Sequence, residues 1–557
     1  MSSSRWWRLP SLALSLALIA LGFMVQLAHS PNPITTADVA SAEGLIGLQF
    51  TETERDSMLD GLKEQYDNYM NLRRVPLNNG VPPSLQFNPI PPGVTFGGSK
   101  KPLKTSRIPS VSTPANIEDV AYYSVGQLAQ LIRSGRMTSE QLTRMYLSRL
   151  KKYGPKLECI ITLTEELAIE QARKADREIA AGRYRGPLHG IPYGAKDLLA
   201  TKGIRTTWGS VPFKDQMFNK DATVIKRLRD AGAVLMAKLT MGELAWGEVW
   251  FGGMTRNPWN YEQGSSGSSA GSAAATAAGL VGFAIGTETY GSIVSPSTRC
   301  GTTGLRPTYG RVSRTGAMAL SWSMDKIGPI CRTAEDCALV FDAIHGPDEL
   351  DQTVYDLPFN YTPQADYKRL RIGYLKADFD SVKGERTNND AALAAIRSLG
   401  ATLIPVNLPV YPIDDLGLIL SAEAGAAFDD LTRSGRDDLL VRQIKNAWPN
   451  VFRLSRFIPA VEYIQANRIR SLLIRDMAKL MRDVDVIVAP TFSGNNLLLT
   501  NLTGHPCVVL PSGFSEKGTP TSIVFLGRLF DEATVLAVAK KFQDATGHHL
   551  KHPTLVE

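Results

Sequence analysis

The sequence predicts an α/β protein: a mixed, largely parallel sheet covered on both faces by helices, with a helical extension at the N-terminus. Three observations carry this. A chain of 557 residues with 43% apolar and 21% charged content can bury a large core while keeping the surface of an ordinary soluble protein. Continuous apolar runs of strand length recur at residues 234–237, 280–285, 370–375, 484–489, 507–510 and 522–526. Runs that are apolar at every position, rather than at alternate ones, belong to strands buried on both faces. Amphipathic helical patterns separate these runs, and that alternation points to a layered architecture.

In chain order, residues 1–30 are expected to be a secretory signal or an N-terminal anchor. Arg5 and Arg8 precede an uncharged apolar stretch, residues 9–27, and Ala28 and Ser30 supply small residues for cleavage. The stretch is almost long enough to span a bilayer, so an uncleaved anchor is the alternative. Export to a periplasmic or extracellular location is expected either way, with the membrane touched only through this segment. Residues 31–80 form the helical extension. Thr51 and Glu54 make a capping box, and Met58, Leu62, Tyr66 and Tyr69 fall on one face of the helix that follows. Residues 81–116 are a Pro-rich connector with neither a period of two nor one of 3.6. Residues 117–557 are read as one catalytic domain. Ser124 caps a helix running to Gly135, and Thr138 with Gln141 caps a second whose apolar face is Leu142, Met145, Tyr146 and Leu150. No internal repeat is evident.

Within that domain, residues 264–306 read GSSGSSAGSAAATAAGLVGFAIGTETYGSIVSPSTRCGTTGLR. A Gly/Ser run taken alone is a flexible spacer. This one feeds a small-residue helix, residues 272–279, which ends at a glycine cap and leads into an apolar strand, and a spacer does not feed a core. Small side chains let another backbone approach closely, and the glycines beside Ser268 and Ser292 permit the dihedrals of tight turns. A serine hydroxyl is a poor nucleophile until a base takes its proton. None of the seven histidines has a comparable setting: His189 is nearest to the motifs, and His548, His549 and His552 crowd a solvated tail. Lys196, inside GIPYGAKDLLATKG, lies between apolar segments. Burial favours its neutral amine and lowers its pKa from about 10.4 toward the working range of a base.

These segments, together with NPWN at 257–260, CGTTGLRPTYGRVSRTG from Cys300 and NLTGHPCVVLPSG from Asn501, resemble the amidase signature family. The resemblance covers most of residues 122–546. It implies an α/β/α sandwich around a mixed sheet and hydrolysis of carboxamide C–N bonds, in linear non-peptide amides or peptide C-terminal amides, with no metal or other cofactor. It also implies a triad of Ser292 as nucleophile, Ser268 as bridging serine after a cis peptide, and Lys196 as base. GSSAGSAAA matches the family's GSSGGSAAA only with Ser268, rather than Ser265 or Ser266, in the bridging place. Backbone N–H groups of Thr289, Tyr290, Gly291 and Ser292 would form the oxyanion hole, and Ser269 would orient Lys196. Many members read D-T-G-G-S-I-R around the nucleophile, whereas here Glu288, Tyr290 and Val294 replace the aspartate, the first glycine and the arginine. The pattern is similar to the T-E-T-D-G-S-I branch that includes peptide amidases, and Tyr290 departs from that branch too.

Other classes follow from what is missing or replaced. The net charge of +7 shows no basic block interleaved with aromatics, so nucleic acid is not an expected partner. The densest basic cluster, Lys100, Lys101, Lys104 and Arg107, reads as solvated connector. The expected partner is a small-molecule or peptide amide, with the oligomeric state open. A glutamine-dependent aminoacyl-tRNA amidotransferase component is the alternative, disfavoured by the export segment and by Glu288, Tyr290 and Val294. A catalytically inactive binding homologue would follow if Tyr290 filled the oxyanion loop. Five cysteines, at 159, 300, 331, 337 and 507, show no metal-ligand spacing and are expected to be buried apolar residues, Cys300 included. The sequons at Asn360 and Asn501 matter only to an exported chain, and Asn501 falls in a core motif.

Overall fold

A computed structural model describes residues 34–382 and 384–556. The expected signal or anchor at 1–30 lies outside them. Among the described residues no helix is long and apolar enough to cross a membrane. The chain forms two compact units, divided between Asn78 and Asn79.

The first unit contains helices Thr36–Ile46 and Glu52–Leu72. Each opens on a capping box, Thr35 with Asp38 and Thr51 with Glu54, so side chains satisfy backbone donors that a helix start leaves without partners. Arg55 donates to Glu43 at 2.6 and 2.8 Å and ties the two helices together.

The second unit begins at Asn79 and therefore includes the connector. Residues 81–116 have no helix or strand, as their aperiodic sequence predicts, but they pack on the body. The Lys104 N–H donates to the Tyr361 carbonyl, the Ser106 N–H to Glu335 at 2.6 Å, and the Phe87 ring meets Tyr309 edge-on at 4.9 Å. An extended segment can satisfy its backbone against a neighbour without any periodic pattern of its own.

The body contains β1 Ile160–Leu163, β2 Pro192–Lys196, β3 Val234–Leu239, β4 Val249–Trp250, β5 Gly253–Met254, β6 Arg256–Asn257, β7 Asn260–Gly264, β8 Phe283–Glu288, β9 Thr303–Arg306, β10 Lys326–Cys331, β11 Ile372–Tyr374, β12 Leu403–Pro405, β13 Val486–Pro490, β14 Cys507–Phe514 and β15 Pro520–Gly527. Eleven of them form one sheet in the order β1-β3-β2-β8-β10-β9-β14-β15-β13-β11-β12, while β4–β5 and β6–β7 are separate two-stranded ribbons. The α/β class and the mixed sheet are as expected; a parallel majority is not. The ladders β2·β3, β2·β8, β11·β13 and β11·β12 are parallel. The other six are antiparallel. Two features account for three of these six. β10 inserts between β8 and β9 and opposes both, and β14–β15 is a hairpin closed by the Ser515–Gly518 turn.

The apolar runs are continuous because the sheet has a core on each face. Val486 and Val488 of β13 enter one core and Ile487 and Ala489 the other; Val508 and Leu510 of β14 oppose Cys507 and Val509; Ile523 and Phe525 of β15 oppose Val524 and Leu526. Successive side chains of a strand alternate faces, so a strand with oil on both sides reads as an unbroken run. The run expected at 280–285 becomes a strand only at Phe283, three residues later, because Gly279 adopts φ +63° and the chain is still turning through Leu280 and Val281.

The small-residue helix expected at 272–279 is observed two residues earlier, at Ala270–Ala277, with all eight residues buried. Its composition has a steric cause: a Cβ on Gly271 would lie 2.5 Å from the Cys159 carbonyl oxygen and 2.6 Å from the Thr240 nitrogen. The helices expected after Ser124 and Thr138 run Val125–Arg133 and Ser139–Leu157, each with its capping box formed.

Candidate active site

Lys196 ends β2, and β8, its parallel neighbour, ends at Glu288 just before the turn that carries Ser292. Strand pairing therefore brings together side chains far apart in sequence. Lys196 is fully buried; its Nζ lies 2.8 Å from Ser268 Oγ, 2.9 Å from Thr287 Oγ1 and 3.1 Å from Ser269 Oγ. Burial lowers the pKa of the amine to about 7, against a weaker opposing pull from Asp325 and Glu288, because a desolvated ammonium is disfavoured. A lysine with neutral and charged forms balanced near neutrality is equipped to exchange protons.

Ser268 is fully buried and follows a cis peptide after Gly267. The Gly242 N–H donates to its carbonyl at 3.3 Å. Ser269 occupies the cap position of the Ala270–Ala277 helix but makes no side-chain cap bond. Its hydroxyl is committed elsewhere: it accepts the Thr287 N–H and donates to the Thr287 carbonyl, each at 3.1 Å.

Ser292 lies in the turn between β8 and the helix Val294–Cys300, 7% exposed. The Ser269 N–H donates to its carbonyl at 3.1 Å, which holds the two serine segments against each other. The Ser292 hydroxyl is not hydrogen-bonded to Ser268 among the described residues; catalytic hydrogen bonds often tighten only when substrate is bound. Gly291 has φ +87°, and a Cβ there would lie 2.9 Å from Ser295 Oγ, so the turn requires glycine. The N–H groups of Tyr290, Gly291 and Ser292 have no backbone acceptor among the described residues. The Thr289 hydroxyl donates to Asp325 at 2.5 Å. Tyr290 is 47% exposed.

Beneath the turn lies a network that sequence reading did not find. Glu288 accepts the N–H groups of Ile293 and Val294 at 2.8 and 2.9 Å, the Arg306 guanidinium at 2.9 Å and the Asn501 amide at 2.8 Å. Burial alone would raise the pKa of this carboxyl; Arg306 and the N–H donors outweigh it and hold Glu288 below its ordinary value. Asn501 is fully buried in this network, consistent with a core residue and not with a surface glycan. Beside Lys196, Asp197 pairs with Lys238 at 3.0 Å with both side chains buried, and it accepts the Thr207 N–H and hydroxyl. Thr287, Glu288 and Asp197 all lie inside motifs quoted above, and their adjacency to the serines and to Lys196 was the available signal.

The six described histidines make no hydrogen bond to Lys196, Ser268 or Ser292. His189 is buried, accepting the Arg185 N–H and lying 3.2 Å from Glu178, and His505 bonds Thr503. All five cysteines are buried and unpaired, and burial pushes the Cys300 thiol well up. Among the described residues no cluster of His, Cys, Asp or Glu could hold a metal.

The profile of the Amidase family matches residues 141–499, which contain Lys196, Ser268 and Ser292. A glutamyl-tRNA(Gln) amidotransferase subunit from Moorella thermoacetica is 35% identical over 486 residues, covering 78% of this chain and 99% of that protein. The native peptide amidase from Stenotrophomonas maltophilia superposes with a TM-score of 0.70 at 30% identity, over 79% of this chain and 99% of that one. The corresponding glutamyl-tRNA(Gln) amidotransferase subunit from Thermotoga maritima gives 0.67 at 26% identity over the same shares.

Proposed function

The chain belongs to the amidase signature family, and from that premise we propose that it is a serine amidohydrolase cleaving linear carboxamides through an acyl-enzyme on Ser292. The supporting observation is the buried Lys196 amine, 2.8 Å from Ser268 and poised near neutrality, beside a glycine turn that presents Ser292. Neutral Lys196 takes the Ser268 proton as Ser268 takes that of Ser292, whose oxygen bonds to the amide carbon. Backbone N–H groups of the turn, from Thr289 to Ser292, hold the oxyanion; one such donor is worth about 3–4 kcal/mol. The ammonium then returns its proton through Ser268 to the departing nitrogen, so that the C–N bond breaks with a neutral amine leaving rather than an amide anion. Water releases the acyl group by the same relay.

A second reading, a component of a glutamine-dependent amidotransferase, draws on the 35% identity to the Moorella thermoacetica protein over 99% of its length, and on identity it has the stronger support. The hydrolase reading draws on Tyr290 and Val294, which replace the glycine and arginine of the common nucleophile motif. Both share the acyl-enzyme and differ in substrate and in the fate of the amine. Assaying the purified chain alone on primary carboxamides, peptide C-terminal amides, anilides and free glutamine separates them. Turnover of simple amides without any partner is expected. Glutamine hydrolysis that appears only with a co-purifying tRNA-binding partner would establish the second reading instead.

Export is the other part of the reading, supported by Arg5, Arg8 and the apolar stretch that follows. N-terminal sequencing of the protein from fractionated native cells is expected to find it outside the cytoplasm, starting near Pro31 if cleaved. A full-length soluble cytoplasmic chain would overturn export.

A further inference from the structure

Three hydroxyl oxygens surround the buried Nζ of Lys196: Ser268 at 2.8 Å, Thr287 at 2.9 Å and Ser269 at 3.1 Å. The Ser269 hydroxyl gives its one proton to the Thr287 carbonyl and accepts the Thr287 N–H, so toward Lys196 it can only accept. An ammonium has three N–H donors and no lone pair, whereas a neutral amine has two donors and one lone pair. With Ser268 donating to the lone pair of the neutral amine, Ser269 and Thr287 accept its two N–H groups; once the nitrogen is an ammonium, Ser268 accepts the third, and in a site without solvent each unmatched donor is costly.

We infer that Thr287 is a positioning residue whose hydroxyl is one of the three hydroxyl acceptors of the ammonium that Lys196 becomes in the reaction. This rests on the reading of Lys196 as the base. In that step the Ser268 proton moves to the Lys196 lone pair, the Ser292 proton moves to Ser268, and the Ser292 oxygen bonds to the carbonyl carbon. The carbonyl π electrons move to the oxygen, so one ammonium and one oxyanion appear together. Ser268 meets the one new N–H, along the line its proton travelled, and Ser269 and Thr287 hold the two N–H groups already present, more strongly now that the donor is charged. Thr287 lies on β8 paired with Ile327, and β-strand geometry fixes its side chain on the face that Lys196 reaches.

The charged groups facing Lys196 are Asp325, just before β10, and Glu288 at the end of β8. Neither hydrogen-bonds the amine: Asp325 takes the Thr289 hydroxyl and the N–H groups of Leu320 and Ser321, and Glu288 takes Arg306, Asn501 and the backbone of the turn. Asp197 on the adjoining residue is committed to Lys238. Hydrogen bonding to the ammonium therefore falls to the three hydroxyls at 2.8–3.1 Å and, at a longer 3.4 Å, to the Thr287 carbonyl.

Thr287→Val keeps the shape and the strand preference and removes only the acceptor. It is expected to lower kcat about ten- to a hundredfold, the usual range for one hydrogen bond to a charged group, with little change in KM. Loss of an acceptor disfavours the charged amine, so the acid limb of the kcat–pH profile should move down by about one unit. Thr287→Ser should restore both. If the valine variant melts below the wild type, Thr287→Cys, similar in size and a weak acceptor, gives the same comparison. Wild-type kcat and an unmoved limb in the valine variant, or a serine variant as impaired as valine, would overturn the assignment. A Lys196→Ala protein that keeps full activity with an unchanged limb would instead overturn the base reading and leave the two failures distinct.

Discussion

Replacing Ser292 by alanine is expected to reduce amide turnover to background, a loss of roughly a millionfold by comparison with other serine hydrolases stripped of their nucleophile. The fold should survive, because among the described residues the hydroxyl has no hydrogen-bond partner that its loss would strand. What anchors the turn is backbone: the Ser292 carbonyl accepts the Ser269 N–H, and Glu288 accepts the N–H groups of Ile293 and Val294. Thermal unfolding close to wild type, with no acyl-enzyme formed, is the expected pair of results. Turnover well above background with the fold intact would reject Ser292.

Lys196→Ala should lose less on amides, about 10²–10⁴-fold, the usual worth of a positioned acid–base group. The loss should be smaller on matched esters, because an alkoxide leaves with little help whereas an amine must be protonated as it departs. In the wild type, activity should rise with pH through about 7, where the buried amine loses its proton and becomes able to accept one from Ser268. The sign follows from the charge: burial lowers a lysine pKa, and the active form is the deprotonated one. An equal loss on amide and ester, or a histidine-to-alanine change that silenced a folded protein, would contradict the role given to Lys196.

Local signals were legible because their partners lie within a helical turn. Thr51 with Glu54, Ser124 with Gln127 and Thr138 with Gln141 bond across three residues, and each pair can be read off adjacent letters. The residue types of the site were legible as well: small side chains at 270–277 and glycine at 291 are demanded by close backbone approach. Direction was not. Alternating helices and strands fit either a parallel sheet or one in which β10 slips between β8 and β9, and no local pattern distinguishes them. Long-range partners were equally hidden. Thr287 reaches Lys196 across 91 residues and Asn501 reaches Glu288 across 213, so the motif containing each residue could be seen but not its contact. The connector at 81–116 was unreadable for a related reason, since a segment that bonds to its neighbour's surface carries no period.

Peptide mapping by mass spectrometry after reaction with a serine-directed fluorophosphonate locates the nucleophile. The phosphonyl group should be found on the peptide containing Ser292 and nowhere else. Labelling should slow markedly in Lys196→Ala and be absent in Ser292→Ala. A phosphonyl group on another residue, or efficient amide turnover by protein that never labels at Ser292, would contradict the account.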